Sequence, residues 1–96
     1  MYGYYYTKID FVISNLEVAI ECKCIRSKKH ASQITKEIND DIQTYHKHSH
    51  CSHLIIFIYD KELLISSPDI IEENYSKKQI FGEKEMLIDL RIRPKN

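Results

Sequence analysis

Three charged residues stand inside apolar, strand-like sequence: Asp10 in Ile9-Asp10-Phe11-Val12-Ile13, and Glu21 and Lys23 in Val18-Ala19-Ile20-Glu21-Cys22-Lys23. A charge in such surroundings is costly to desolvate unless it is paired or bound to a metal. If the two runs form a hairpin, two carboxylates and an ammonium meet at one sheet edge. Asp10 and Glu21 then supply the oxygen pair that a hard cation such as Mg²⁺ takes together with waters and phosphate oxygens. Lys23 beside them can orient or help deprotonate an attacking water and offset charge on a phosphate, so the chemistry indicated is metal-assisted phosphodiester cleavage. The alternative is a solvated face on which the same residues make cross-strand ion pairs.

The elements that must position these residues can be read from periodicity. Residues 9–13 and 18–25 flank a short polar turn and predict a β-hairpin. In its second strand Val18, Ile20, Cys22 and Cys24 share one face, and Ala19, Glu21, Lys23 and Ile25 the other. Residues 27–31 read as a polar, basic loop, with Ser32 as the N-cap of a helix whose apolar residues Ile34, Ile38, Ile42 and Tyr45 form one stripe. Residues 54–59 are continuously apolar, as in a strand buried on both faces, and a right-handed crossover would set them parallel to the second strand. Ser66-Ser67-Pro68 introduces a short helix, and alternation over residues 86–92 predicts a last strand. The expected order is ββαβαβ, an α/β fold with a mixed sheet flanked by helices.

The length of 96 residues supports one domain with a single core, and a composition 43% hydrophobic with two Gly and two Pro excludes disordered or collagen-like chains. The 14 Lys+Arg balance the 14 Asp+Glu, so a polyanionic partner must be held by a local patch. Lys23, Arg26, Lys28 and Lys29 form such a patch, without an acid among them. The three cysteines are an odd count, Cys22 and Cys24 are too close along one strand for a normal disulfide, and a reducing, cytoplasmic location is expected. Cys22 and Cys24 are expected to pack as small apolar residues on the buried face. The first eight residues have neither the basic start nor the apolar run of a signal peptide, and the six-residue run at 54–59 is too short for a bilayer, so no membrane partner is expected.

Asp10 followed on the next strand by Glu21-Cys22-Lys23 resembles the Asp…Glu-x-Lys motif of the PD-(D/E)XK, restriction-endonuclease-like nuclease superfamily. The helix Glu37-Ile38-Asn39-Asp40-Asp41-Ile42-Gln43-Thr44-Tyr45, then Cys51 and the apolar strand ending in Tyr59-Asp60, is similar to the DpnII/MboI-type restriction endonuclease domain over residues 8–75. The resemblance implies a restriction-endonuclease-like core and a Mg²⁺-dependent DNA endonuclease, with Mn²⁺ as a substitute, in a restriction or defence setting. It implies Asp10 and Glu21 as metal ligands with the Cys22 backbone carbonyl as a third, Lys23 as the catalytic lysine, and Gln33 as an accessory polar residue at the start of the helix. Arg26, Lys28 and Lys29 beside this motif suit the phosphate backbone of DNA.

The superfamily core begins with a helix before the first strand, and seven residues precede Lys8 here. The expectation is therefore a single nuclease-like domain over residues 1–96 that is a fragment of a larger chain or a minimal version, completed by a homodimer partner or by the rest of a longer polypeptide. The alternative function is a catalytically inactive nuclease-fold module for nucleic-acid binding or assembly. Tyr2, Tyr4, Tyr5 and Tyr6 suit an additional strand or, as the rival, base stacking. His46, His48, His50, Cys51 and His53 carry zinc-ligand chemistry, but their alternation with Lys47, Ser49 and Ser52 reads as a solvated loop.

Overall fold

In the computed structural model, residues 8–13, 17–47, 51–82 and 84–95 are described, the side chains of 8–13 and 81 excepted. They form β1 (Lys8–Ile13), β2 (Val18–Cys24), α1 (Lys28–Ser32), α2 (Ile34–His46), β3 (His53–Tyr59), α3 (Pro68–Tyr75), β4 (Lys78–Phe81) and β5 (Lys84–Arg93). The strands make one mixed sheet in the order β1-β2-β3-β5-β4. β1 and β2 are the expected antiparallel hairpin, β3 lies parallel to both β2 and β5, and β4 closes the far edge antiparallel to β5. The α/β class holds. The expectations on Tyr2, Tyr4, Tyr5 and Tyr6, and on a helix before β1, fall outside the described residues.

Two elements depart from the expected order. Residues 28–32 are helical because Ser27, in extended conformation, caps them: its Oγ accepts the His30 N–H at 3.1 Å. Ser32 is therefore the end of α1 and not the cap of α2; its hydroxyl donates to the Lys29 carbonyl at 2.7 Å, and α2 starts at Ile34 without a side-chain cap. The second departure is β4, a four-residue edge strand that turns into β5 at Gly82, whose φ of 65° is in the region glycine enters without a Cβ penalty.

The core lies on one face of the sheet. Ile34, Ile38, Ile42 and Tyr45 of α2 are buried in one cluster with Ala19 of β2, Leu54, Ile56 and Ile58 of β3, and Ile88, Leu90 and Ile92 of β5. The register aligns these rows, with Ala19 beside Leu54 and Leu54 beside Ile88. Each fully buried isoleucine or leucine contributes about 1.5–3 kcal/mol. Ile71 and Tyr75 of α3 pack against the same cluster. The other face is less covered: Phe57 is 37%, Tyr59 44% and Leu87 43% exposed. β3 is thus buried on one face among the described residues, not on both, because an unbroken apolar run shows that neither face is polar without showing that both are covered.

Side chains finish the edge of β5 that β4 leaves unpaired. The Leu90 N–H donates to Ser76 Oγ at 2.8 Å, and the Ile92 N–H donates to Glu72 Oε2 at 2.7 Å. At the end of β3 the buried Asp60 carboxylate accepts the N–H groups of Leu64 and Ile65 at 2.9 and 2.8 Å, fixing the loop that leads to α3.

Burial pushes the Glu72 carboxyl up, but the Ile92 N–H, the Lys95 and Arg93 hydrogen bonds and the charge of Arg93 outweigh it and hold it below its ordinary range. A carboxyl lowered on folding adds stability above its unfolded pKa and loses it as pH falls through the folded value. Glu72→Gln, which can still accept the Ile92 N–H, is expected to cost about 1 kcal/mol at neutral pH because Arg93 is partly exposed. Urea unfolding of both proteins should show the difference vanish in acid; a difference constant with pH would place the effect in shape and not in charge.

Candidate active site

β2 carries Glu21 and Lys23 two residues apart, hence on the same face. That face is the buried one: Glu21 is 1% and Lys23 9% exposed. The solvated-face alternative is therefore not what the fold adopts for these two residues. Asp10 stands directly across the β1–β2 ladder from Glu21. The hairpin thus brings Asp10, Glu21 and Lys23 to adjacent register positions. Cys22 and Cys24 lie on the opposite, half-buried face, a correction to their expected place in the core. Apolar residues occur in both alternating sets of β2, so alternation could not say which set meets α2.

The charges are compensated by the helix above them. Lys23 Nζ lies 3.0 Å from Asp41 Oδ2, 3.4 Å from Glu37 Oε1 and 3.7 Å from Glu21 Oε2. Glu37 and Asp41 are four residues apart and share a face of α2, beside the isoleucine stripe. Burial pulls the Lys23 pKa down, but the hydrogen bond and charge of Asp41, with the charges of Glu21 and Glu37, overcome it and raise the pKa. The ammonium therefore stays charged at neutral pH. Three carboxylates thus lie within 4 Å of this one ammonium. His30 Nε2 lies 3.1 Å from Glu37 Oε2, and its Nδ1 accepts the Arg26 N–H at 3.4 Å, an arrangement in which the Nε2 proton is donated to Glu37.

Arg26, Lys28 and Lys29 are exposed on the segment that leaves β2 and forms α1. Gln33 is exposed at the α1–α2 junction, where its side chain caps neither helix. His46 ends α2, Cys51 is buried with its thiol 3.7 Å from the His53 carbonyl, and His48 and His50 fall outside the described residues. Among the described residues no three His, Cys, Asp or Glu side chains converge as a metal cage, and no helix is long and apolar enough to cross a membrane.

The family model of the DpnII-MboI restriction endonucleases, described as REase_DpnII-MboI, matches residues 1–93. The chain belongs to this family. No curated protein and no solved structure matches it. Within the DpnII-MboI frame, the sequence pattern singles out Asp10, Glu21 and Lys23 but names Glu37 and Asp41 only as members of the helix, without a part at the site. The signal available was an acidic pair at i and i+4 flanking a buried stripe, opposite a strand lysine. Carboxylate oxygens are the donor type that a hard divalent cation takes, and Glu21, Glu37 and Asp41 supply them here with Lys23 lying among them.

The crowding of like charge gives a stability test. Lys23→Ala removes the ammonium shared by Glu21, Glu37 and Asp41 and is expected to cost about 3 kcal/mol. Glu21→Gln removes one of three carboxylates from the ammonium and is expected to leave stability unchanged or raise it by up to about 1 kcal/mol. Urea unfolding at neutral pH measures both; a loss of several kcal/mol in Glu21→Gln would mean that Glu21 serves the fold.

Proposed function

We propose that this chain is the catalytic unit of a Mg²⁺-dependent DNA endonuclease that hydrolyses phosphodiester bonds in restriction or defence, acting in the cytoplasm. The observation that carries the reading is the register of Asp10 against Glu21, two positions from a buried lysine, in a chain of a restriction endonuclease family. Asp10 and Glu21 would hold the metal, with the Cys22 backbone carbonyl as a third ligand. When bound, the ion supplies Lewis-acid charge stabilisation and an activated water.

The residues of the chain do the remainder. Lys23, kept charged by its carboxylate neighbours, donates N–H bonds that orient the attacking water and offset the charge growing on the phosphate. Arg26, Lys28 and Lys29, exposed next to the site, contact the DNA backbone and position the scissile bond without reading sequence. A chain of 96 residues covers little DNA, so cutting both strands calls for two copies or a larger polypeptide.

Supercoiled plasmid incubated with the protein in Mg²⁺, in Mn²⁺ and in chelator tests this. Nicking or linearisation is expected with either metal, absent in chelator and lost in Asp10→Asn and in Lys23→Ala whose fold is verified by circular dichroism. Cleavage surviving in either folded variant sinks the assignment, and DNA retention without cleavage in any metal makes the chain a non-catalytic module. Binding measured across salt concentrations tests the basic segment: alanine at Arg26, Lys28 or Lys29 should each lower the slope of log K against log salt by about 1, equally for unrelated sequences. An unchanged slope removes that residue from the interface.

A further inference from the structure

We propose that the cavity between the α1–α2 junction and the loop leaving β3 is a nucleotide site, with Lys28 on the phosphate and the base inside; the inference rests on the reading of Arg26, Lys28 and Lys29 as DNA contacts. The cavity holds about 500 Å³, within the range of small-molecule sites. Its floor is apolar: Ile34 and Ile65 line it, and both belong to the core. Its polar lining is three hydroxyl residues, Ser32, Thr35 and Ser66, and one charged residue, Lys28. Among the described residues no carboxylate lines it. That combination selects a ligand with an apolar body, a hydrogen-bonding rim and a negative charge at one end. A nucleotide has all three, in the faces of its base, the polar edge of the base and the phosphate.

The position agrees with the lining. β2 and β3 run parallel, and the cavity lies where the chain leaves their carboxyl ends, the place where ligands bind in sheets of this kind. Lys28 belongs to the exposed basic segment, so a DNA strand gripped there runs past the cavity. The loop wall is formed in advance. The Asp60 carboxylate accepts the Leu64 and Ile65 N–H groups, and the lining segment begins at Leu63, with φ 56°, and ends against Ser67, with φ 52°. Such left-handed backbone is unfavourable for residues other than glycine, persists where the surroundings impose it, and clusters at ligand clamps. A wall already fixed loses little freedom when a ligand arrives. Either a free mononucleotide or a base turned out of a DNA strand carries the chemistry this cavity selects.

Isothermal titration of the four deoxynucleoside monophosphates into the full chain reads the site without reference to turnover. Saturable binding of at least one is expected. Lys28→Ala should weaken it about tenfold and leave binding of the matching nucleoside, which has no phosphate, unchanged. Thr35→Val keeps the shape, removes one hydrogen bond and should weaken binding about fivefold. Ser66→Trp fills the cavity and should abolish binding; where that variant does not fold, the other two decide. Affinity unchanged in the folded variants overturns the site. Duplexes carrying a fluorescent adenine analogue at successive positions separate the two sources, because its emission rises when the base leaves the stack. A rise with the unaltered chain, lost in Ser66→Trp that still retains the duplex, assigns the cavity to a base of DNA. Silent emission with bound mononucleotide assigns it to a free nucleotide. A chain that retains duplex, binds no mononucleotide and leaves the analogue silent fails this inference only. A chain that retains no duplex fails the DNA reading, and mononucleotide titration then decides the cavity by itself.

Discussion

The structure turns on one buried ammonium. Lys23 sits beneath α2 within 4 Å of carboxylates from its own strand and from two turns of the helix. Taking these charges out of water is expensive, and their mutual attraction offsets that cost only while the geometry is kept. The isoleucine stripe of α2 supplies the driving force to cover the sheet, but hydrophobic burial is non-directional and would tolerate a helix slid or rotated by a few ångströms. The contacts of Glu37 and Asp41 with Lys23 do not tolerate it. The apolar cluster attaches α2 to the sheet, and the ion network selects where.

The topology then explains why the basic segment ends up beside the site. β2, β3 and β5 run parallel, so their carboxyl ends share one side of the sheet. In sheets of this kind functional loops gather outside those ends. The chain leaving β2 passes directly through Arg26 into the short α1, where Ser27 caps the turn that presents Lys28 and Lys29 and aims His30 at Glu37. The Asp60 carboxylate anchors the loop leaving β3 at the same end, and the Asp60 N–H bonds the Arg93 carbonyl at 2.8 Å, tying that loop to the end of β5.

Much of this was legible because it follows from period. The hairpin, the stripe at Ile34, Ile38, Ile42 and Tyr45, the parallel placement of β3 and the last strand come from spacings of two and of three to four residues. What escaped lacks a period. α1 is one capped turn among five residues, four of them polar, and β4 is a four-residue edge strand; neither is long enough to show an alternation. The two sides of β2 were separable by parity but not assignable, because Val18, Ile20, Cys22 and Cys24 look more like a core set than Ala19, Glu21 and Lys23 do. The fold buries the charged set instead. Alternation along β2 does not announce that choice, which depends on Glu37 and Asp41, distant in sequence and in a different element.

That inversion bears on why the charges are there. A domain of this size has a stability of only a few to about fifteen kcal/mol, and replacing a buried ion pair with apolar side chains of similar volume is often neutral or stabilising. The rows flanking Glu21 and Lys23 in the sheet are Ile56 and Ile58, with Leu90 and Ile92 beyond them, so an apolar pair would continue the core without interruption. Lys23 alone could be accounted for by a single carboxylate. A second and third carboxylate on the same face add repulsion that the ammonium cannot fully cancel, and the register brings Asp10 to the same place. Under the proposed function, this acidic face would attract a cation of higher charge than lysine, and the stability of the face and its chemistry would then pull in opposite directions.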